Sequence, residues 1–230
     1  MCSRYSLTSP PEAVRAYFGY GETEVFPPRY NIAPTQPVAI VRQDDRGRRH
    51  LALVRWGLIP SWVKDPREFT TLINARAETA AEKPSFRGAM RHHRCLVPAD
   101  AYYEWTGPAG AKVPHLIRPR ADGARSGVFA IAGLFEHWLG TDGSELETMA
   151  ILTCPANRAT APIHDRMPVI VAPEHFERWL DCRPGTAQHV LDILTPAPED
   201  LLETIEISRE LNNPRNDRPE VQTPVRTTLL

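Results

Sequence analysis

The alternation of apolar and polar residues predicts two β-hairpins in this chain. In the first, residues 38–43 (VAIVRQ) and 50–58 (HLALVRWGL) flank the turn-like DDRGR. In the second, residues 127–138 (GVFAIAGLFEHW) and 146–156 (LETMAILTCPA) flank GTDGSE. Three shorter β-like pieces lie between the hairpins: TLINARAE, RCLVPADAYYEW and PHLIRP. These runs favour a mostly antiparallel, barrel-like β core.

Helical patterns lie near the two ends of the chain. SPPEAVRAYF predicts a first helix, with Ser9 as its N-cap and Glu12 at the capping-box position. Later patterns predict helices in PEHFERWL, in TAQHVLDIL with Thr186 as N-cap, and in PEDLLETI. The tail ISRELNNPRNDRPEVQTPV is typical of an irregular surface segment. Because no repeat or long linker divides the chain, we expect one α+β domain over residues 1–230, with peripheral helices.

Composition places the chain among ordinary globular proteins, with 42% hydrophobic and 24% charged residues. No apolar run approaches the roughly 20 residues needed to span a membrane, and the first 20 residues are too polar for a signal peptide. The four cysteines show no metal-binding spacing, so a reduced cytoplasmic protein is expected. A formal net charge of −1 argues against a wholly basic nucleic-acid binder but allows one basic groove.

The motifs of common cofactor and hydrolase families are missing. There is no GxxxxGK[ST], HExxH or GxSxG, and GYGETE lacks the third glycine of a dinucleotide site. We therefore expect no cofactor and no bound metal. We also expect a monomer.

Cys2 stands directly behind the initiator methionine. If Met1 is removed, this residue carries a free α-amine and a thiol on adjacent carbons. Reference pKa values near ~8 for the amine and ~8.5 for the thiol give both groups a nucleophilic fraction around neutral pH. Such a pair closes an aldehyde into a thiazolidine, or attacks an amide or ester with the amine as base. The alternative is a small, partly buried residue at a chain end.

Two internal stretches carry polar groups in β-like surroundings. In INARAET, Asn74 and Arg76 are two residues apart, so on a strand both would line one cavity, unless this is simply a polar edge strand. In ADAYYEW, Glu104 lies among aromatic residues. Burial there would raise its pKa into a range where it gives and takes protons, whereas plain alternation would point it at solvent.

PIHDRMPVI places His164 and Arg166 just before a β-like run. The histidine, beside an acid, is a candidate proton shuttle, and the arginine is a candidate phosphate ligand, although a lone histidine is more often structural. RGAMRHHR and RWGLIPSW bring arginines close to tryptophans, a combination that suits single-stranded nucleic acid. A solvated charged face is the alternative.

Together these stretches resemble the SOS response-associated peptidase (SRAP) family of abasic-site shielding proteins. The matching pieces span nearly the whole chain and are MCSR, RYNIAPTQ, RWGLIPSW, INARAET, CLVPADAYYEW, IHDRMPVI and LNNPRND. The resemblance implies binding of single-stranded DNA at abasic sites. It also implies a covalent thiazolidine between the sugar aldehyde and the N-terminal cysteine, and a peptidase-like exposure of that cysteine.

The resemblance also implies catalytic roles. Cys2 would be the nucleophile, and Asn74 would orient its amine and hydrogen-bond the adduct. Glu104 would relay protons during imine formation, and His164 would protonate the sugar oxygen to favour ring opening.

Four further residues would hold the DNA. Arg4, Arg76 and Arg166 would bind flanking phosphates, and Trp62 would stack on a base near the lesion. Two departures bear on this binding: Ser3 stands where the family usually has glycine, and Val63 stands where many members carry a second aromatic residue.

Two other readings of the sequence remain open. An N-terminal-cysteine amidohydrolase, such as a glutaminase, would need an oxyanion hole and has no use for DNA-stacking tryptophans. A noncatalytic single-strand binder would keep its DNA affinity without Cys2 and form no covalent product.

Overall fold

The long alternating runs build a closed β-barrel in the computed structural model, which describes residues 2–23, 25–120 and 127–225. Both predicted hairpins are confirmed, as Pro37–Gln43 with Arg49–Trp56 and as Phe129–Leu139 with Glu145–Pro155. A further strand, Arg94–Ala99, joins one hairpin to the other, and a parallel pairing between the two hairpins closes the ring. Closure leaves these five strands without a free edge.

A second sheet of five strands packs against the barrel, and its strands follow the order 202–206, 113–119, 101–106, 5–7 and 29–32. All its pairings are antiparallel. The β-like piece RCLVPADAYYEW divides between the two sheets at Asp100, because its first half pairs within the barrel and its second half pairs with the strand at residues 5–7. The expected α+β fold with a mostly antiparallel, barrel-like core is confirmed.

The elements have the following bounds. The strands are β1 Tyr5–Leu7, β2 Arg29–Ile32, β3 Pro37–Gln43, β4 Arg49–Trp56, β5 Asn74–Arg76, β6 Arg94–Ala99, β7 Ala101–Thr106, β8 Val113–Pro119, β9 Phe129–Leu139, β10 Glu145–Pro155, β11 Arg166–Pro168, β12 Ile170–Val171 and β13 Leu202–Glu206. The α-helices are α1 Pro11–Phe18, α2 Ala77–Ala80, α3 Arg87–His92 and α4 Phe176–Leu180, and 3-10 turns cover Pro173–His175, Thr186–Ile193, Arg209–Asn212 and Pro219–Gln222.

Both predicted helix caps are wrong. The N-cap of α1 is Pro10, because the Ser9 hydroxyl donates to the Asp100 carboxylate at 2.7 Å instead of capping the helix. Thr186 is the first residue of its 3-10 helix rather than the cap, and its hydroxyl donates to the carbonyl of Asp181 at 2.6 Å.

The expected helix in PEDLLETI is wrong as well. Its second half is β13, whose residues pair with β8 from Leu202 to Glu206. Pairing with an available sheet edge overrides the helical pattern of these residues. The helix expected in PEHFERWL is confirmed, as a 3-10 turn followed by α4.

The main core lies between the barrel and the second sheet. Tyr5 of β1 packs edge to face on Trp56 of β4, with ring centroids 5.4 Å apart. Cys2 and Tyr102 belong to the same buried cluster. The start of the chain is therefore held inside the molecule. In the part of the chain that the structure describes, no helix is both long and apolar enough to cross a membrane.

Candidate active site

Cys2 lies where the second sheet meets the barrel. Its side chain is fully buried, three residues before β1 begins. The thiol contacts the carbonyl of Arg4 at 3.8 Å, and the same carbonyl accepts from the backbone N–H of Tyr103 on β7. Burial raises the pKa of the Cys2 thiol, and the nearby Glu104 carboxylate raises it further. In this buried position the thiol is therefore held toward its protonated form, and attack by its sulfur calls for a base.

Asn74 holds the backbone of Cys2. It is the first residue of β5, which pairs in parallel with β10 and places Asn74 opposite Ile151. Its Nδ2 donates to the Cys2 carbonyl at 2.8 Å. Its Oδ1 is buried and accepts no hydrogen bond from the described residues. The amide thus fixes Cys2 with one end and leaves an acceptor at the other.

Glu104 is desolvated by the alternation of β7. Tyr103 packs in a small cluster on one face of the strand, whereas Tyr102 packs in the main core on the other. Glu104 shares the face of Tyr102 and is only 4% exposed. Burial raises the pKa of its carboxyl to about 7. Of the two sequence interpretations, the desolvated carboxyl is the correct one.

His164 precedes β11 and is partly buried. The backbone N–H of Arg166 donates to its Nδ1 at 2.9 Å, and Asp165 Oδ1 lies 2.8 Å from the same nitrogen. Burial lowers the pKa of the imidazole, so the ring is neutral at neutral pH. The Arg166 N–H uses the lone pair of Nδ1, whereas a hydrogen bond to Asp165 Oδ1 requires a proton on the same nitrogen, so the two contacts belong to different protonation states of the ring.

One open cavity of about 540 Å³ joins several of these groups. It is lined by Ser3, Arg4, Glu104, Trp105, Gly110, Lys112, His164 and Asn212. Arg4 Nη1 donates to Asn31 Oδ1 at 2.8 Å and to the carbonyl of Leu211 at 3.2 Å. Its guanidinium also lies over the ring of Trp105, 5.8 Å from the centroid. Arg4, Glu104 and His164 thus meet around one space, beside the buried Cys2.

Comparison with known families decides where this chain belongs. A model described as SOS response associated peptidase (SRAP) matches residues 1–214. The chain belongs to the SRAP family. The resemblance drawn from its motifs is confirmed.

Relatives and solved structures cover nearly the whole chain. The abasic site processing protein YoqW of Bacillus subtilis (strain 168) is 37% identical over 225 residues, which are 96% of this chain and 98% of that protein. The abasic site processing protein HMCES of Gallus gallus is 34% identical over 226 residues, 86% of this chain and 66% of that one. A crystal structure of a Bacteroides thetaiotaomicron protein superposes with a TM-score of 0.84 at 28% identity, covering 97% of this chain and all of the other.

Two of the arginines that the SRAP resemblance assigns to DNA lie on the barrel side of the site. Arg166 forms a two-pronged ion pair with Glu78, whose second contact is 2.8 Å, and it donates to the carbonyl of Thr153 at 2.6 Å. Arg76 is exposed at the end of β5. The charge of Arg166 is therefore matched by a carboxylate, and its role toward phosphate stays a prediction.

Trp62 is 59% exposed and does not line the cavity. It contacts Phe69 edge to face, with ring centroids 5.8 Å apart. The neighbouring Val63 is buried, and its carbonyl accepts from Trp138 Nε1 at 2.7 Å. Position 63 therefore faces the interior in this chain, and the effect of its valine on base stacking stays a prediction.

The tail contributes groups that the sequence analysis did not assign. The buried Asn31 donates from Nδ2 to the carbonyls of Leu211, Asn213 and Asn216, at 2.9 to 3.2 Å. Both RYNIAPTQ and LNNPRND were recognised as SRAP motifs, but only the fold shows that one holds the other. Within the described residues, no group of three His, Cys, Asp or Glu side chains is arranged to hold a metal ion.

Proposed function

We propose that this protein captures abasic sites in single-stranded DNA by forming a covalent thiazolidine with Cys2. The relatives named as abasic site processing proteins support this substrate. The observation that carries the proposal is the placement of the Cys2 thiol beside Glu104, whose buried carboxyl has a pKa of about 7. Such a carboxyl takes and returns protons near neutral pH, as the condensation of an amine with an aldehyde requires.

The chemistry begins with hydrolytic removal of Met1, which exposes the α-amine of Cys2. The amine adds to the aldehyde carbon of the ring-opened sugar to give a carbinolamine. Loss of the hydroxyl as water gives an imine, and Sγ then adds to the imine carbon while the thiol proton passes to the nitrogen. Amine, thiol and aldehyde together give a five-membered ring and one water molecule.

The surrounding side chains divide the proton transfers. Because burial raises the pKa of the Cys2 thiol, attack by sulfur needs a base, and the Glu104 carboxylate supplies it. Before that step, the protonated form of the same carboxyl donates to the carbinolamine hydroxyl, which leaves as water, so that the carboxylate is free to take the thiol proton and pass it to the nitrogen. Asn74 orients Cys2 through its carbonyl and offers Oδ1 to the new amine. As the bond between C1 and the sugar ring oxygen breaks, the protonated fraction of His164 gives its proton to that oxygen and then takes the proton that the C1 hydroxyl releases, which leaves the aldehyde.

Away from Cys2, the DNA is bound by three arginines and by the exposed ring of one tryptophan. Arg4, Arg76 and Arg166 bind flanking phosphates, and Trp62 stacks on a base. A thiazolidine has no carbonyl to acidify the adjacent C–H, so the captured lesion no longer breaks the strand by β-elimination. The protein acts as a monomeric shield on DNA in the cytoplasm, and the imine stage accounts for any weak lyase activity.

An N-terminal-cysteine amidohydrolase fits the site less well. That reaction has no use for the exposed ring of Trp62 or for several phosphate-binding arginines, and the relatives are named for abasic sites. It remains an outcome of the test below rather than a second proposal.

The test is a denaturing gel of the purified protein with a single-stranded oligonucleotide that carries one abasic site. Mass spectrometry first establishes the loss of Met1. A slow-migrating, heat-stable band is expected with wild type and abasic DNA, but not with intact DNA or with Cys2→Ala. If processed wild type gives no such band, the proposal is wrong and glutamine hydrolysis is the next assay.

A further inference from the structure

Lys112 is a second cation on the cavity that Arg4 lines. It lies at the end of the turn between β7 and β8 and is exposed. The structure gives it no ion pair with any described residue. Its ammonium is close enough to His164 that its charge adds to burial in lowering the pKa of the imidazole. An uncompensated positive charge therefore faces the same space as the proton-transfer groups.

The backbone of Lys112 is held in place by a short chain of hydrogen bonds. Trp105 Nε1 donates to Asn212 Oδ1 at 2.7 Å, and Asn212 Nδ2 donates to the carbonyl of Lys112 at 3.1 Å. Within the turn, Gly107 has a φ of +82°, and Ala111 donates to the carbonyl of Pro108 at 3.1 Å. The turn is thus fixed at both the tail and β7, although its lysine side chain is solvent-accessible.

The cations around the site differ in whether an acidic side chain already pairs with them. Arg4 donates to an amide oxygen and a carbonyl, which are neutral acceptors, so its positive charge is not cancelled. Lys112 likewise has no acidic partner among the described residues. Arg166, in contrast, already holds the carboxylate of Glu78 with two nitrogens. An incoming phosphate therefore meets positive charge without an acidic partner on the Arg4 and Lys112 side, whereas at Arg166 it competes with Glu78.

We propose that Lys112 binds a DNA phosphate next to the captured abasic site, as a partner of Arg4, and that Asn212 positions it. This inference rests on the proposed function for the identity of the ligand. It assigns the β7–β8 turn and the tail to the DNA-binding surface, in addition to the residues that the family motifs indicate.

The test measures non-covalent binding of a fluorescent single-stranded oligonucleotide by Cys2→Ala protein across a range of salt concentrations. Lys112→Met is compared with Lys112→Arg and with Arg118→Met, a charge-matched control on β8 whose guanidinium pairs with Glu203. One phosphate contact contributes about 0.7 to the slope of log affinity against log salt for single strands. We expect Lys112→Met to lose about that much slope, Lys112→Arg to keep it, and Arg118→Met to match the parent.

The outcomes separate this inference from the proposed function. If Lys112→Met and Arg118→Met have the same slope, Lys112 makes no phosphate contact and the inference is wrong, even if wild type crosslinks abasic DNA. If Lys112→Met alone loses slope while wild type forms no covalent band, the phosphate contact stands and the thiazolidine mechanism fails.

Discussion

The two walls of the site differ in how they treat charge. The sheet wall is formed by Arg4, Glu104 and Lys112. Its two cations have no acidic partner among the described residues, and burial raises the pKa of its carboxyl. The barrel wall is formed by Asn74, Glu78 and Arg166. The Asn74 amide holds Cys2, and Arg166 forms an ion pair with Glu78. Reactivity and anion attraction therefore concentrate on the sheet wall, whereas the barrel wall mainly holds positions.

The largest expected effect comes from removing the reactive carboxyl of the sheet wall. Glu104→Gln should slow crosslinking by about 10²–10⁴-fold, because general acid–base catalysis contributes in that range. Because Glu104 acts as an acid when water leaves and as a base when sulfur attacks, the wild-type rate should pass through a maximum near pH 7 that Glu104→Gln loses. Stopped-time gels from pH 5 to 9 check both points. Glu78→Gln, on the barrel wall, is the matched control, and an equal loss there would contradict the contrast between the walls.

The same substitution should stabilise the fold at high pH. The pKa of the Glu104 carboxyl rises from an ordinary 4.5 to about 7 on folding, so the folded state loses stability as the pH rises from about 4.5 to about 7, and the loss stays constant above that. The difference corresponds to up to about 3 kcal/mol. Urea unfolding should show the advantage of Glu104→Gln over wild type growing from pH 5 to pH 8. A constant difference over this range would mean that the carboxyl is not desolvated.

Trp62 tests whether binding extends beyond both walls. Stacking of one base on an aromatic ring is worth about 1–3 kcal/mol, so Trp62→Ala should weaken single-stranded DNA binding by roughly 5- to 150-fold. Stability should change little, because the ring is 59% exposed. Leu139→Ala, at a side chain that is 65% exposed, is the control for losing surface apolar area. Equal affinities of the two variants would remove Trp62 from the binding surface.

The smallest effect concerns the matched charge of the barrel wall. Glu78→Gln removes the half-exposed carboxylate that pairs with the largely buried Arg166. Ion pairs at the surface are worth about 1 kcal/mol or less, so affinity for intact single-stranded DNA should rise by up to about fivefold at low salt. Fluorescence anisotropy checks this, with Glu203→Gln, the partner of Arg118, as control. Weaker binding by Glu78→Gln would show instead that the pair holds Arg166 in its binding position.

Sequence periodicity predicted the barrel better than it predicted the chain ends. Both hairpins follow alternation that is local and long, so their residues carry the signal themselves. The helix expected in PEDLLETI became β13 because a sheet edge, contributed by β8 far away in sequence, was available to pair with it. Ser9 does not cap α1, because its hydroxyl donates a hydrogen bond to the Asp100 carboxylate instead. Contacts between residues that are distant in sequence cannot be predicted from a local pattern.

The candidate site shows the same limit. Residue chemistry indicated Cys2, Glu104 and His164, but the raised pKa of the Cys2 thiol depends on burial between two sheets and could not be deduced from its position in the chain. The support of Arg4 by Asn31 and the tail depends on contacts between segments about 180 residues apart. Family motifs pointed to the segments, and only the fold shows how they touch.

The most direct test of the account is the state of Cys2 in the crosslinked product. Processed protein is reacted with abasic oligonucleotide, denatured, treated with iodoacetamide and digested with trypsin, which releases Cys2 with Ser3 and Arg4. A thiazolidine consumes both amine and thiol, so the DNA-bearing peptide should carry no alkyl group on Cys2. A DNA-bearing peptide with an alkylated Cys2 would mean that the bond stops at the imine, and attachment at any other residue would contradict the mechanism.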